Sequence, residues 1–205
     1  MSTPSIAIID YGAGNLRSVA KAFEKLSYRP TVTTSPAQVL GADAVVLPGV
    51  GAAGDTMCSL AARGMVDVIR EVITKKKPFF GVCLGLQIMF ESTEEGSAEC
   101  LGILKGRVKR LPDGLKVPHM GWNQVVFKQK HPVFEGVPSG SHFYFVHSYY
   151  AEPADRASIA GETEYGIAFC SAIARGNMVA TQFHPEKSGP LGLRLYDNFV
   201  KHLVA

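Results

Sequence analysis

The sequence predicts an α/β protein built on a three-layer, mostly parallel central sheet flanked by helices, with an additional antiparallel β-rich portion in its second half. Two observations carry this. In the first half, short apolar runs alternate with helix-periodic stretches, the pattern of strands buried on both faces and joined by crossover helices. In the second half, short runs of extended character follow one another between Gly and Pro clusters, with little helix among them.

Taken in order, Ser5 to Ile9 is an apolar run ending at Asp10, and Gly12-Ala13-Gly14-Asn15 is a turn. Leu16, Val19, Ala20, Phe23 and Leu26 then recur at helical spacing. Arg29 to Thr34 is extended, and Ala44 to Leu47 is an apolar strand stopped by Pro48-Gly49-Val50-Gly51. A helix is predicted from about Thr56 to Lys75, a strand over Phe79 to Val82, and a further helix over Gln87 to Glu91. Strands are then predicted at Arg107–Leu111, Gln124–Phe127, His142–His147, Ile167–Cys170 and Met178–Phe183, the last two joined by a hairpin at Arg175-Gly176-Asn177. Leu191, Leu195, Phe199 and Leu203, four apart, mark a closing amphipathic helix over Pro190 to Leu203. No repeat or low-complexity linker interrupts the chain, so residues 1–205 are read as one domain.

The 205 residues can bury about 70% of the surface that their unfolded chain exposes, so no disulfide or metal staple is needed. A net charge of +3, with basic residues scattered apart from Lys75-Lys76-Lys77, argues against nucleic acid as a partner. No apolar run approaches a membrane span, and the segment before Ile6 lacks the form of a signal peptide. Cys58, Cys83, Cys100 and Cys170 show no paired spacing and are expected to be reduced, in a cytoplasmic protein. No clustered metal-ligand spacing occurs, so neither metal nor cofactor is expected.

Gly81-Val82-Cys83-Leu84-Gly85 has the form G-x-C-x-G between an apolar run and a helix. A nucleophile raised on a sharp strand-to-helix turn needs small residues two positions to either side. The helix start favours a thiolate, and the Leu84 N–H is placed to donate to an oxyanion. The bland alternative is a buried cysteine packing as a small hydrophobe. His184-Pro185-Glu186 follows an apolar strand; in an extended segment both side chains point to one side, so the carboxylate can orient the imidazole while its other nitrogen meets the nucleophile. An incidental surface histidine is the competing reading. Of the other histidines, His131 and His202 read as surface positions, while His119, His142 and His147 sit in less ordinary strings.

Together, Pro48-Gly49-Val50-Gly51, Gly81 to Gln87 and Gln182 to Lys187 resemble the triad (class I) glutamine amidotransferases. Asp10 to Ser18, Pro118 to Asn123 and Phe143 to Tyr149 narrow the resemblance to glutaminase subunits of imidazole glycerol phosphate synthase, over nearly the whole chain. The resemblance implies a triad of Cys83, His184 and Glu186. Leu84 and the Gly49, Val50, Gly51 loop would stabilise the oxyanion. Gln87, Glu95, Tyr144, Ser148 and Tyr149 would hold glutamine, with Glu94 as the neighbouring alternative to Glu95. It places Asn15, Pro118, His119, Met120, Trp122, Asn123 and Lys187 toward a partner, a (β/α)₈-barrel cyclase that receives the ammonia. Plain readings compete: a tight turn at 49–51, strand aromatics at Tyr144 and Tyr149, a core Trp122. Another acyl-transfer hydrolase, a glutaminase serving an anthranilate or vitamin synthase, and a non-catalytic module remain the rival functions.

Overall fold

The computed structural model describes residues 4–12 and 15–204. Met1 to Thr3, the Ala13-Gly14 pair of the predicted first turn, and Ala205 lie outside the described residues.

The chain forms β1 (Ile6–Ile9), α1 (Leu16–Lys25), β2 (Pro30–Thr33), α2 (Pro36–Gly41), β3 (Ala44–Gly49), α3 (Ala53–Ala62), α4 (Met65–Thr74), β4 (Phe79–Cys83) and α5 (Leu84–Gln87). The second half continues with β5 (Ser92–Thr93), β6 (Ala98–Glu99), β7 (Gly106–Arg110), β8 (His119–Phe127), β9 (Ser141–His147), β10 (Tyr149–Pro153), β11 (Ile159–Glu164), β12 (Ala168–Arg175), β13 (Met178–Thr181) and α6 (Gly189–Phe199).

Strands β2-β1-β3-β4-β13 pair in parallel and make the heart of the sheet. Antiparallel strands extend it through β12, β10 and β7, while β11, β8 and β9 branch from β12. Strand alternation distributes the core over two faces. Ala7, Ile9, Val45 and Leu47 pack with Leu60, Ile69 and Val72 of α3 and α4. Ile6, Ile8, Ala44 and Val46 pack with Phe23 of α1 and Leu195, Tyr196 and Phe199 of α6. Phe80 meets the rings of Tyr196 and Phe199 edge-on at 5.1 and 5.3 Å; truncating such a buried ring costs about 3–5 kcal/mol.

Several elements differ from the sequence expectation. The helix predicted over Thr56 to Lys75 is two helices, because Gly64 turns left-handed (φ 66°) and ends the first. The helix predicted over Gln87 to Glu91 is absent, since α5 ends at Gln87. The Pro118–Asn123 string is mostly strand: β8 begins at His119 and pairs with β9 through Trp122 opposite Tyr144. Strand β10 is separated from β9 by Ser148 alone, and there the chain leaves β8 for β7. α2 was not anticipated, although Ser35 caps it through the Gln38 N–H and Pro36 opens it.

Candidate active site

The parallel strands end together, and their register sets the site. Gly49 at the end of β3 stands opposite Cys83 at the end of β4, and Thr181 of β13 stands opposite Val82. The loops after these strands therefore share one edge, where ligands of parallel sheets bind.

Cys83 carries the turn in a conformation that a side chain rarely adopts, φ 55° and ψ −105°. Such geometry costs on the order of 1–3 kcal/mol and persists only when its surroundings impose it. Here the glycines do so by their lack of a side chain. A Cβ on Gly85 would lie 2.0 Å from the Leu47 carbonyl oxygen, one on Gly81 2.8 Å from that of Gly85, and one on Gly49 2.7 Å from the Leu84 Cβ. The sequence reading that small neighbours are required thus has a direct steric basis. The following helix is one turn long, so the free N–H groups at its start, rather than a long helix dipole, are what it offers an anion.

His184 and Glu186 meet through a different local route than expected. Pro185–Lys187 is a 3₁₀ turn, not extended chain, and the turn brings His184 Nδ1 to 2.8 Å from Glu186 Oε1 with both side chains fully buried. The carboxylate is further held by the Asn15 Nδ2 donor at 2.5 Å on Oε1 and the Tyr196 hydroxyl at 3.2 Å on Oε2. Burial alone would raise the Glu186 pKa, but its hydrogen bond and charge interaction with His184 lower it. Burial likewise would lower the His184 pKa, but Cys83 and Glu186 raise it to about 10. His184 Nε2 is buried without a well-aligned hydrogen bond among the described residues; Cys83 is the titratable group acting on it besides Glu186. An unpartnered buried nitrogen calls for an explanation, and a proton exchanged with the sulfur or a bound substrate supplies one. Burial raises the Cys100 thiol to about 11 and Cys170 to about 12, as befits inert core cysteines.

A cavity of about 270 Å³ opens at Cys83, lined by Val50, Gly51, Leu84, Gln87, Glu95, Pro118, Val146, His147, Ser148 and Tyr149. Larger grooves lie elsewhere, one of about 460 Å³ around Ile73, Ile103 and Met178 at the far end of the sheet. No cysteine, histidine or carboxylate lines it, so size does not identify the site. Gln87 Nε2 donates to the Tyr149 carbonyl at 2.7 Å and to Gln182 Oε1 at 3.0 Å. Glu95 accepts from the Ala53 N–H at 2.8 Å, whereas Glu94 accepts from the Arg110 N–H, so Glu95 is the one at the cavity.

The structure brings most predicted glutamine-site residues together but not Tyr144. That ring lies outside the cavity, 5.9 Å from Lys187 Nζ and 6.3 Å from Trp122. Among the partner-side residues, Met120 and Trp122 are 61% and 57% exposed, which rejects a core Trp122. Pro118 and Lys187 are also exposed, and Asn123 is half-buried. His119 is buried and stacked on Tyr165 and Phe145, so it offers no surface to a partner. Asn15 binds the Glu186 carboxylate instead. Sequence reasoning missed Tyr196 and Gln182: the first looks like an ordinary helix aromatic, and only the second sat inside a suspect string.

Among the described residues there is no group of His, Cys, Asp and Glu arranged to hold a metal ion, and no helix is long and apolar enough to cross a membrane. Residues 7–203 match the family model described as glutamine amidotransferase class-I. The chain is 55% identical to imidazole glycerol phosphate synthase subunit HisH of Dehalococcoides mccartyi (strain CBDB1), over 96% of each chain. It is 52% identical to the HisH subunit of Moorella thermoacetica, over 95% of this chain and 93% of that one. The fold is similar to PurLQS from Thermotoga maritima (TM-score 0.77, 18% identity, covering 98% of this chain and 100% of that one) and to a crystal structure of glutamine amidotransferase (TM-score 0.75, 18% identity, 96% and 97%). With a cysteine on a strained strand end, a buried His–Glu pair beside it, and sequence similarity along nearly its whole length, this chain belongs to the class-I glutamine amidotransferase family.

Proposed function

We propose that this chain is the glutaminase subunit of an imidazole glycerol phosphate synthase, hydrolysing glutamine at Cys83 and passing ammonia to a barrel-fold cyclase in histidine biosynthesis. The observation that carries the reading is the placement of Cys83 at the cavity beside a sealed His184–Glu186 pair. The identity of over half to HisH subunits favours this synthase over an anthranilate or vitamin enzyme.

In the proposed route the Cys83 thiolate attacks the glutamine amide carbon. The Leu84 N–H and the Gly49-Val50-Gly51 loop stabilise the oxyanion. His184 Nε2 donates a proton to the departing nitrogen, ammonia leaves, and a thioester remains. His184 then takes a proton from water as it attacks the thioester, and glutamate is released. Glu186 fixes the imidazole tautomer by accepting from Nδ1, while Asn15 and Tyr196 hold the carboxylate. Gln87, Glu95, Ser148 and Tyr149 line the substrate cavity. Pro118, Met120, Trp122, Asn123 and Lys187 form the face for the cyclase; exposed large apolar side chains there suit a buried interface core. Residues 1–205 act as one domain in the cytoplasm, with no cofactor, and with glutamine and the cyclase rather than nucleic acid or membrane as ligands.

Glutamate formation measured with the chain alone, with the cyclase and its nucleotide substrate, and with Cys83→Ala tests this. Activity that rises with the partner and vanishes in the variant is expected. Glutamine turnover retained in Cys83→Ala would overturn the assignment.

A further inference from the structure

Gln182 follows β13 and is completely buried. Its amide Nε2 donates to Cys83 Sγ at 3.6 Å, and its Oε1 accepts from Gln87 Nε2 at 3.0 Å. An amide can be turned end for end, so the direction of these bonds needs a separate anchor. The Tyr149 carbonyl supplies it. A carbonyl only accepts, so the group that Gln87 points at it must be the –NH₂. The second hydrogen of that –NH₂ then meets the Gln182 oxygen, which leaves the Gln182 –NH₂ aimed at the sulfur. The anchor is itself held, since Tyr149 O also accepts from His147 Nδ1 at 2.8 Å, and His147 Nε2 accepts from His119 Nδ1 at 2.9 Å.

We infer that Gln182 is a further catalytic residue of the cysteine chemistry, an N–H donor that holds the Cys83 sulfur as a thiolate. The inference rests on Cys83 being the nucleophile. A hydrogen bond to a charged sulfur favours the charged form, and weakens when the sulfur is neutral in the thioester. The donor therefore acts twice. It favours the thiolate before attack, and it stabilises the sulfur again as the thioester C–S bond breaks and the electron pair returns to it. No proton leaves Gln182 in either step. His184, which exchanges a proton, and Gln182, which does not, are assigned different functions on the same atom.

The test is the pH profile of Cys83 alkylation by iodoacetamide, followed by peptide mass mapping so that the exposed Cys58 is counted separately. Wild-type full chain is compared with Gln182→Met and Gln182→Glu, with folding checked by circular dichroism. The expected result is a midpoint moved to higher pH by about one unit in Gln182→Met, so alkylation near neutral pH slows about tenfold and recovers in alkali. Gln182→Glu, which replaces the donor with a carboxylate, should move it further. The acid limb of kcat/KM for glutamine should move with the alkylation midpoint. Should both variants fail to fold, Gln87→Met, which removes the group orienting the Gln182 amide, should produce a shift in the same direction. An unmoved midpoint in any folded variant overturns the inference while leaving the glutaminase reading intact. Absence of glutamine hydrolysis by the wild-type complex, with the midpoint shift preserved, would instead reject the substrate and keep the donor.

Discussion

Glu186 Oε1 lies 2.8 Å from His184 Nδ1, and neither side chain reaches solvent. A buried carboxylate is costly unless its oxygens are occupied, and here Asn15 and Tyr196 complete the set. In the proposed route this pair orients the base, so Glu186→Gln should lower kcat by about a hundredfold to ten-thousandfold by presenting the wrong partner to Nδ1. Tyr196→Phe removes one supporting hydrogen bond and should cost only about 3- to 10-fold, equivalent to roughly 1 kcal/mol. Steady-state glutaminase assays of the assembled enzyme check both; equal losses for the two variants would contradict the assigned hierarchy.

Gly85 is required by space. Gly85→Ala would drive its Cβ into the Leu47 carbonyl, at 2.0 Å, and should destabilise the fold by about 3 kcal/mol or more. Gly41→Ala, whose Cβ would meet nothing, serves as the control and should change stability by less than about 1 kcal/mol. Denaturant unfolding of both variants decides; a stable Gly85→Ala would mean that the turn relaxes easily.

His147 and His119 should govern acid stability in the middle of the pH range. Burial lowers the His147 pKa from 6.5 to about 3, and burial lowers that of His119 too. Above pH 6.5 both are neutral in folded and unfolded chains. Below it the unfolded chain takes up protons that the folded chain refuses, so stability falls as pH drops toward about 3. A site that wholly refuses its proton costs about 1.4 kcal/mol per pH unit. The raised pKa of His184 works in the other window. Its contribution is complete below pH 6.5 and is lost as pH rises through about 10. Urea unfolding between pH 7.5 and 5 should therefore show a steep acid slope, flattened in His147→Gln even where that variant is less stable throughout. A slope unchanged by the substitution would contradict a neutral, buried His147.

Trp122 is exposed, and it stands opposite Tyr144 in the β8–β9 pairing. Trp122→Ala should leave the isolated chain's unfolding curve within about 0.5 kcal/mol of wild type. If this strand face meets the cyclase, the same change should weaken association by about 2 kcal/mol, close to thirtyfold in Kd. Calorimetric titration against the cyclase measures it, and undiminished affinity would move the interface elsewhere.

The strand-helix alternation of the first half and the G-x-C-x-G turn were legible because both are local. Apolar periodicity reports which side of an element is buried, and the need for small residues beside a sharp turn is satisfied within five positions of Cys83. The limits were equally physical. Nothing in the periodicity from Thr56 to Lys75 shows that Gly64 adopts φ 66° and divides the helix. The strand predicted at His142–His147 carries no sign of β10 beyond it, because a change of pairing partner at Ser148 leaves no mark on alternation.

The side-chain network was the least legible part. Asn15 lies 171 residues before Glu186, and Gln182 lies 99 after Cys83. Parallel strands join residues far apart in the chain, and a hydrogen bond depends on tenths of an ångström that composition and spacing do not encode. Residue types and short spacing therefore carried the fold class and the candidate triad. Packing of the sheet decided that Asn15 holds the Glu186 carboxylate, that His119 is buried rather than presented to a partner, that Tyr144 stands outside the cavity, and that the Gln182 amide is turned toward the sulfur.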